Sequence, residues 1–383
     1  MNEIENIAVV GVGQTKIERN KLGDTFADMV YEATKKALDD AGMTMDDIDN
    51  VITTSNDFWD GRTISTMAVN DACGGGLAKN MSAVEGDGTF SAFYGMARIL
   101  SGVYDTTLVV SHVKGSESEN IQITNAIFDP LYVRPIGLDA LNSSAMQMRR
   151  YMAKYGITEE QCAKVSVKNH KNALKNPYAQ LAMDISVDDV LDSRIISDPL
   201  KLYDCSPISD AAAAVILAGG DKAKKAKKPV WVKGVSYTAD AYFLGDRDLA
   251  DASALDKASL EAYEMAGIED PFQEIDVAEV YDAFSYMELM WYEGLGFCSP
   301  GGGGKLIDKG ITEMDGDLPV NPSGGLLSGH PVTPGGMIRL IEAVLQVRGD
   351  AGEHQIDGVK TALAHGINGA CGQSHCVWIV GGS

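Results

Sequence analysis

What most limits the fold of this chain is a repeat. Residues 6–17, "NIAVVGVGQTKI", read as a strand, and "TFADMVYEATKKALDDAG" follows as a helix capped by Thr25 or Asp24 and stopped by Gly42. Its apolar positions Phe26, Met29, Val30, Ala33, Ala37 and Leu38 fall at helical spacing. An acidic turn, "MDDIDNVITTS", then enters a second strand. From residue 228 the same grammar returns as "KPVWVKGVSYTA", "ALDKASLEAYEMAG" and "QEIDVAEVYDAF". Ala41-Gly42 matches Ala266-Gly267, and Ile48-Asp49 matches Ile275-Asp276. Each copy continues with a glycine turn, an amphipathic helix and a strand: "GTFSAFYGMARILSGVYDTTLVVSH" in the first, "TPGGMIRLIEAVLQVRGDAGEHQIDGVKTALAHG" in the second. Strand-helix-strand-helix-strand used twice predicts two α/β domains with mixed sheets packed on each other. Helix N-termini from both halves then point at one central pocket, where backbone N–H groups stabilise developing negative charge.

Residues 120–193 fit neither copy and read as a helical insertion. The expected division is an N-terminal half at 1–119 and 194–227, a helical loop domain at 120–193 and a C-terminal half at 228–383. The junction falls in the lysine-rich "AGGDKAKKAKKP", residues 218–229.

Composition removes several function classes. With 54 acidic against 32 basic residues the net charge is -22, which repels nucleic acid phosphate. No apolar run approaches the roughly 18 residues of a membrane span. The acidic start, "MNEIENIAVVGVG", enters a strand directly and does not resemble a signal peptide, so a cytoplasmic protein is expected. The six cysteines are scattered without CxxC spacing, so neither a disulfide framework nor a metal site is expected.

Chemistry is expected where glycine turns meet helix starts. In "LPVNPSGGLLSGHPVTPGGMIRL", residues 318–340, His330 lies between two such turns, suited to proton transfer at neutral pH. In "DVAEVYDAFSYMELMWYEGLG" a strand runs into Tyr281 and Asp282 just before a helix, a place to bind a carbonyl; a core tyrosine and a capping aspartate are the alternative. In "VKTALAHGINGACGQSHCVWIVGG", His365, Asn368 and Cys371 are expected to face a pocket, Cys371 as a thiol acid/base or as an inert buried cysteine. The turn Glu85-Gly86-Asp87-Gly88-Thr89 opens a helix as a nucleophile's turn does, yet contains no cysteine. Asp210, in "YDCSPISDAAAAVILAGG", reads as structural, and "SPGGGGKLIDKG" lacks the order of a phosphate loop.

These motifs resemble the thiolase superfamily over nearly the whole chain. "PVNPSGGLLSGHPVTPGG" is similar to its histidine motif, "YDAFS" to its Asn-Glu-Ala-Phe or His-Asp-Cys-Phe loop, and "HGINGACGQ" to its C-terminal glycine loop. "CSPISDAAAAVILA" and "VKNHKNALKNP" resemble the sterol-carrier-type branch, some of whose members pair with a small zinc-ribbon/OB-fold protein. The resemblance implies a duplicated, five-layered αβαβα fold with coenzyme A as a substrate and no metal in this chain. It also implies a homodimer of thiolase-fold chains joined by such a small subunit.

Laid on the family, the nucleophilic cysteine falls near Gly88, where sulfur is absent; Cys73 stands 15 residues earlier. Thr89 or Ser91 would need an adjacent base to substitute. Two reactions survive without a nucleophile. One is thiolysis of a 3-oxoacyl-CoA by coenzyme A with no acyl-cysteine: His330 or His365 activates the thiol, turns at Gly88 and Gly369 hold the oxyanion, and Gly88 leaves room for a bulky group. The pattern is most similar to family members acting on 2-benzoylsuccinyl-CoA in anaerobic toluene breakdown. The other is retro-aldol cleavage of a 3-hydroxyacyl-CoA with Tyr281 or a histidine as base. A scaffold without activity is a third reading. Arg149, Arg150 and Lys168 in the insertion are the expected contacts for the coenzyme A 3′-phosphate.

Overall fold

The computed structural model describes residues 3–382. Its strands are β1 (Ile7–Gln14), β2 (Asn50–Thr54), β3 (Asn80–Val84), β4 (Thr106–Lys114), β5 (Ile195–Ser197), β6 (Leu200–Lys201), β7 (Asp210–Gly219), β8 (Val230–Ala239), β9 (Val277–Glu279), β10 (Thr361–Asn368) and β11 (Ser374–Gly381). The repeat appears directly in strand order. The first half runs β3-β2-β4-β7-β1 and the second β8-β11-β10-β9. With β8 matched to β1, β9 to β2, β10 to β4 and β11 to β7, the order of the matched strands is the same in both halves, and β3 is an extra edge strand of the first. The parallel neighbours β2–β4 and β9–β10 also correspond.

One feature departs from the expectation of two separate sheets. The halves join edge to edge where Ala8 and Val9 of β1 pair with Trp231 and Val230 of β8, making one nine-stranded ribbon. The layering is nevertheless five deep. The helix Phe26–Ala41 covers the outer face of the first half, and Ser253–Ala266 that of the second. The helices Gly88–Leu100 and Gly335–Arg348 pack against each other between the halves and touch strands of both. Strands covered on both faces are buried along nearly their whole length, as in β1, β4 and β7, and β7 carries the continuous apolar run AAAAVILA. Each outer helix approaches its strand over a glycine: a Cβ at Gly11 would strike Ala37 O, and one at the matching Gly234 would strike Ala262 O.

Local signals held. Thr25 caps the first helix in a reciprocal box with Asp28, and Gly42 ends it in the left-handed region. The insertion is helical, with Asn120–Ala126, Ala140–Tyr155, Glu159–Ala173 and Val187–Leu191. Asp210 is structural as expected, accepting the backbone N–H groups of Lys21 and Ser116. β10 continues beyond His365, where the strand was expected to end, to Asn368.

Candidate active site

The starts of the two central helices and the ends of β9 and β10 surround a cavity of about 440 Å³, roofed by the insertion. Tyr281, His330, Asn368, Gly369 and Cys371 line it, as do Asp87, Ser206 and Thr333.

Tyr281 and His330 form its polar centre. The Tyr281 hydroxyl lies 2.8 Å from His330 Nε2 and 3.0 Å from Val332 O, with the rings edge to face. His330 Nδ1 is 2.8 Å from Ser206 Oγ, and the His330 N–H donates to Ser209 Oγ at 2.9 Å. The phenol has one proton. When it points to a carbonyl, His330 Nε2–H donates to the phenol oxygen and Nδ1 accepts from Ser206. Burial, reinforced by the Arg339 charge, pushes His330 down to about 4, so the ring is neutral at neutral pH. Burial, with Asp87 and Asp282 adding to it, holds Tyr281 well above the usual phenol range, so it stays a donor.

Cys371 also reaches the cavity. It is a non-glycine residue at φ 54°, a backbone state that persists where its surroundings impose it. Arg247 donates to the carbonyls of Ala370, Cys371 and Gly372, and Gln147 donates to Cys371 O at 3.2 Å. Burial lifts the thiol to about 11. At neutral pH it is an acid able to deliver a proton, not a thiolate nucleophile.

Asp87, which sequence reasoning passed over, lies in the turn Glu85-Gly86-Asp87-Gly88-Thr89 at the start of a central helix. It caps the helix Gly88–Leu100, accepting Thr89 N–H at 2.9 Å and Thr89 Oγ1–H at 2.5 Å. Its other oxygen accepts Gly336 N–H at 2.7 Å, from the start of the opposite central helix. A side chain at Gly336 or Gly366 would collide with the carboxylate. Asp87 is 2% exposed, and burial raises it to about 6 against the pull of those donors. The signal was present: an N-cap residue type between two glycines at a helix start.

Other expected site residues lie outside the cavity or have their polar groups already engaged. Gly88 leaves no room for a substrate, because a Cβ there would sit 2.5 Å from Met337 Cβ. Its N–H is bonded to Thr333 O at 2.9 Å, so it holds no oxyanion. Gly369 lines the cavity, but its N–H donates to Asn368 Oδ1 at 3.0 Å.

His365 is fully buried behind Tyr281. Its Nδ1 accepts Tyr281 N–H at 3.4 Å, and its Nε2 lies 2.9 Å from His375 Nδ1, with the two rings stacked. The adjacent Trp291 donates to Tyr281 O at 2.7 Å, so these groups hold the Tyr281 backbone and do not meet a ligand.

Asp282 turns into the core, where it accepts Leu326 N–H at 2.6 Å and the Asn169 amide at 2.8 Å. Burial and neighbouring Glu288 raise it to about 7. It organises the glycine turn below His330. Lys168 is wholly buried, paired with Glu288 at 2.7 Å and bonded to Val320 O at 2.6 Å, out of reach of any phosphate. Arg149 and Arg150 pair on the surface with Asp198 and Asp248, outside the cavity wall. Among nucleophile substitutes, Cys73 is buried and bonded to Val69 O, Thr89 is held by Asp87, and Ser91 is bonded to Thr54 at 2.6 Å.

No described group of His, Cys, Asp and Glu has a metal-holding arrangement, and no described helix is long and apolar enough to cross a membrane.

Comparison with known proteins agrees with this architecture. Residues 7–221 match the thiolase N-terminal domain and residues 236–382 the thiolase C-terminal domain-like family. The chain belongs to the thiolase family. It is 37% identical to an acetyl-CoA acetyltransferase of Methanothermobacter thermautotrophicus, over 96% of this chain and 98% of that one. It is 33% identical to sterol carrier protein 2 of Bos taurus, over 95% of this chain and 70% of that one. The benzoylsuccinyl-CoA thiolase subunit BbsB of Thauera aromatica is 35% identical over 59% of this chain and 60% of its own. Among solved structures, the Ltp2-ChsH2(DUF35) aldolase superposes with a TM-score of 0.83 at 25% identity, covering 99% of this chain and 98% of that one.

Proposed function

We propose that this protein breaks, or in reverse forms, the carbon–carbon bond next to the α-carbon of a coenzyme A thioester without becoming acylated. The observation that carries this reading is the Asp87 turn: a carboxylate stands at the helix start, and the amides of Gly88, Thr89, Gly336 and Gly369 are already bonded to protein. A tetrahedral acyl intermediate needs such amides free. Side-chain proton chemistry does not.

Retro-aldol cleavage of a 3-hydroxyacyl-CoA suits the geometry best. As the bond between C2 and C3 breaks, the electron pair moves into the thioester and the C3 hydroxyl becomes a carbonyl. Tyr281, backed by His330 Nε2–H, donates to the enolate oxygen, the role a buried neutral acid can fill. Cys371 then delivers a proton to C2. What these groups leave to be supplied is an acceptor for the hydroxyl proton. Thiolysis of a 3-oxoacyl-CoA by coenzyme A, as in conversion of 2-benzoylsuccinyl-CoA to benzoyl-CoA and succinyl-CoA, is the second reading. It is supported by the likeness to the acetyltransferase and to the benzoylsuccinyl-CoA thiolase subunit. There, Tyr281 would hold the oxyanion.

We propose further that the working form contains two copies of this chain and a small zinc-ribbon/OB-fold subunit. The two-protein name of the aldolase supports the presence of a second kind of subunit.

The test is an assay of the isolated protein, with any subunit that co-purifies. Release of an aldehyde or ketone from a 3-hydroxyacyl-CoA without added coenzyme A supports the retro-aldol reading. Coenzyme A-dependent cleavage of a 3-oxoacyl-CoA supports thiolysis. An acyl group trapped on the polypeptide, or no cleavage of either class, refutes the proposal.

A further inference from the structure

The missing proton acceptor has a candidate in the lone pairs of Asp87. A carboxylate has about four acceptor positions. Oδ1 uses two, on the N–H and Oγ1–H of Thr89, and Oδ2 uses one, on Gly336 N–H. Gly88 N–H also approaches the carboxylate, but its hydrogen bond goes to Thr333 O at 2.9 Å. One position on Oδ2 is therefore open, on a residue that lines the cavity. Gly335 and Gly336 seat the two polar groups side by side at one helix start. A Cβ at Gly335 would lie 3.3 Å from the Tyr281 hydroxyl, and one at Gly336 would strike Asp87.

We propose that Asp87 Oδ2 accepts the 3-hydroxyl of the substrate and takes its proton, which makes Asp87 a catalytic base and the residue that selects a 3-hydroxyacyl-CoA over a 3-oxoacyl-CoA. This rests on the retro-aldol reading. The O–H bond breaks and an Oδ2–H bond forms. The C2–C3 pair becomes the enolate, which Cys371 protonates, and the Asp87 proton returns to the thiol through solvent. No oxidant is needed. The selection follows from charge: an acceptor-only carboxylate welcomes a hydroxyl donor and repels a ketone oxygen.

The test separates recognition from turnover. Binding of 3-hydroxybutyryl-CoA and acetoacetyl-CoA is measured by calorimetry on the wild type and on Asp87→Asn. The wild type is expected to favour the hydroxy ligand by about tenfold or more, and Asp87→Asn to lose or invert that preference. On a substrate that is cleaved, kcat is expected to fall by about 100-fold or more. Equal binding of both ligands by the wild type, or a preference and kcat unchanged in Asp87→Asn, overturns the assignment. A preference that depends on Asp87 in a protein that releases no carbonyl product refutes retro-aldol cleavage and the base role, while the recognition role stands.

Should the variant not fold, the wild type alone decides. The groups facing Asp87 are Tyr281 and Cys376, both held above their usual range by burial and the Asp87 charge. Arg339, farther along the Gly335–Arg348 helix, is engaged by Glu279. Asp87 is raised to about 6; Asp282, raised to about 7, acts on Tyr281 but turns away from the cavity onto Leu326 N–H. The preference should fade between pH 7.5 and 5, and a ratio flat across that range overturns the proposal.

Discussion

Tyr281→Phe removes one oxygen and leaves the ring packing, including the edge contact with His330 at 5.3 Å. The lost hydroxyl had His330 Nε2 at 2.8 Å and Val332 O at 3.0 Å. Both residues line the cavity, so water can replace part of what is lost. The stability cost should therefore stay near about 1–2 kcal/mol, at the low end for unpaired buried partners. The catalytic cost is larger. Losing a preorganised donor to a developing oxyanion removes about 2.7–4 kcal/mol of transition-state stabilisation, or about 100- to 1,000-fold in kcat. Steady-state kinetics on the cleaved substrate, beside a denaturation curve, measures both. The expected result is a kcat effect with KM little changed and the fold intact. If Tyr281→Phe keeps kcat within about threefold, Tyr281 does not stabilise the enolate. If kcat falls only in step with the folded fraction, the residue is structural.

Gly88→Ala should destabilise by about 1–3 kcal/mol, because its methyl meets Met337 at 2.5 Å; a variant that instead widens acyl-chain tolerance would mean Gly88 does face substrate. Lys168→Met leaves Glu288 buried without its cation and should cost about 3–5 kcal/mol by urea unfolding with coenzyme A affinity unchanged. Arg149→Ala, at a surface pair, should cost under about 1 kcal/mol; a tenfold loss of coenzyme A affinity from either would restore the phosphate assignment. Asp87 has its folded pKa raised from 3.8 to about 6, so the folded state holds the proton more tightly than the unfolded chain. That stability is fully present below pH 3.8 and is lost as pH rises through about 6, a swing of roughly 3 kcal/mol relative to Asp87→Asn. Unfolding curves for the two proteins between pH 4 and 7 that run parallel would show that Asp87 does not titrate in this environment.

Local rules carried the duplicated architecture a long way. A Thr25 cap, an Ala-Gly stop used twice and Ile-Asp turns at matched positions are decided within a few residues, so the order of elements and its duplication were readable in the chain, while the αβαβα layering came from the family resemblance. That Tyr281, His330 and Cys371 face one cavity was readable too, because glycine turns beside helix starts mark places where backbone ends converge.

The direction each side chain takes at those places was not readable. Tyr281 and Asp282 are neighbours at a strand end, yet one meets the cavity and the other the turn at Leu326. One residue of register separates Asp87, which lines the cavity, from Gly88, which packs on Met337. Lys168 looked like a surface cation, but the helix that carries it lays its inner face on Glu288. The sequence determined the elements and their duplication, because propensity and capping act over a few bonds. Only the tertiary structure decided which of two adjacent side chains faces the cavity, because that depends on the angle at which distant elements pack.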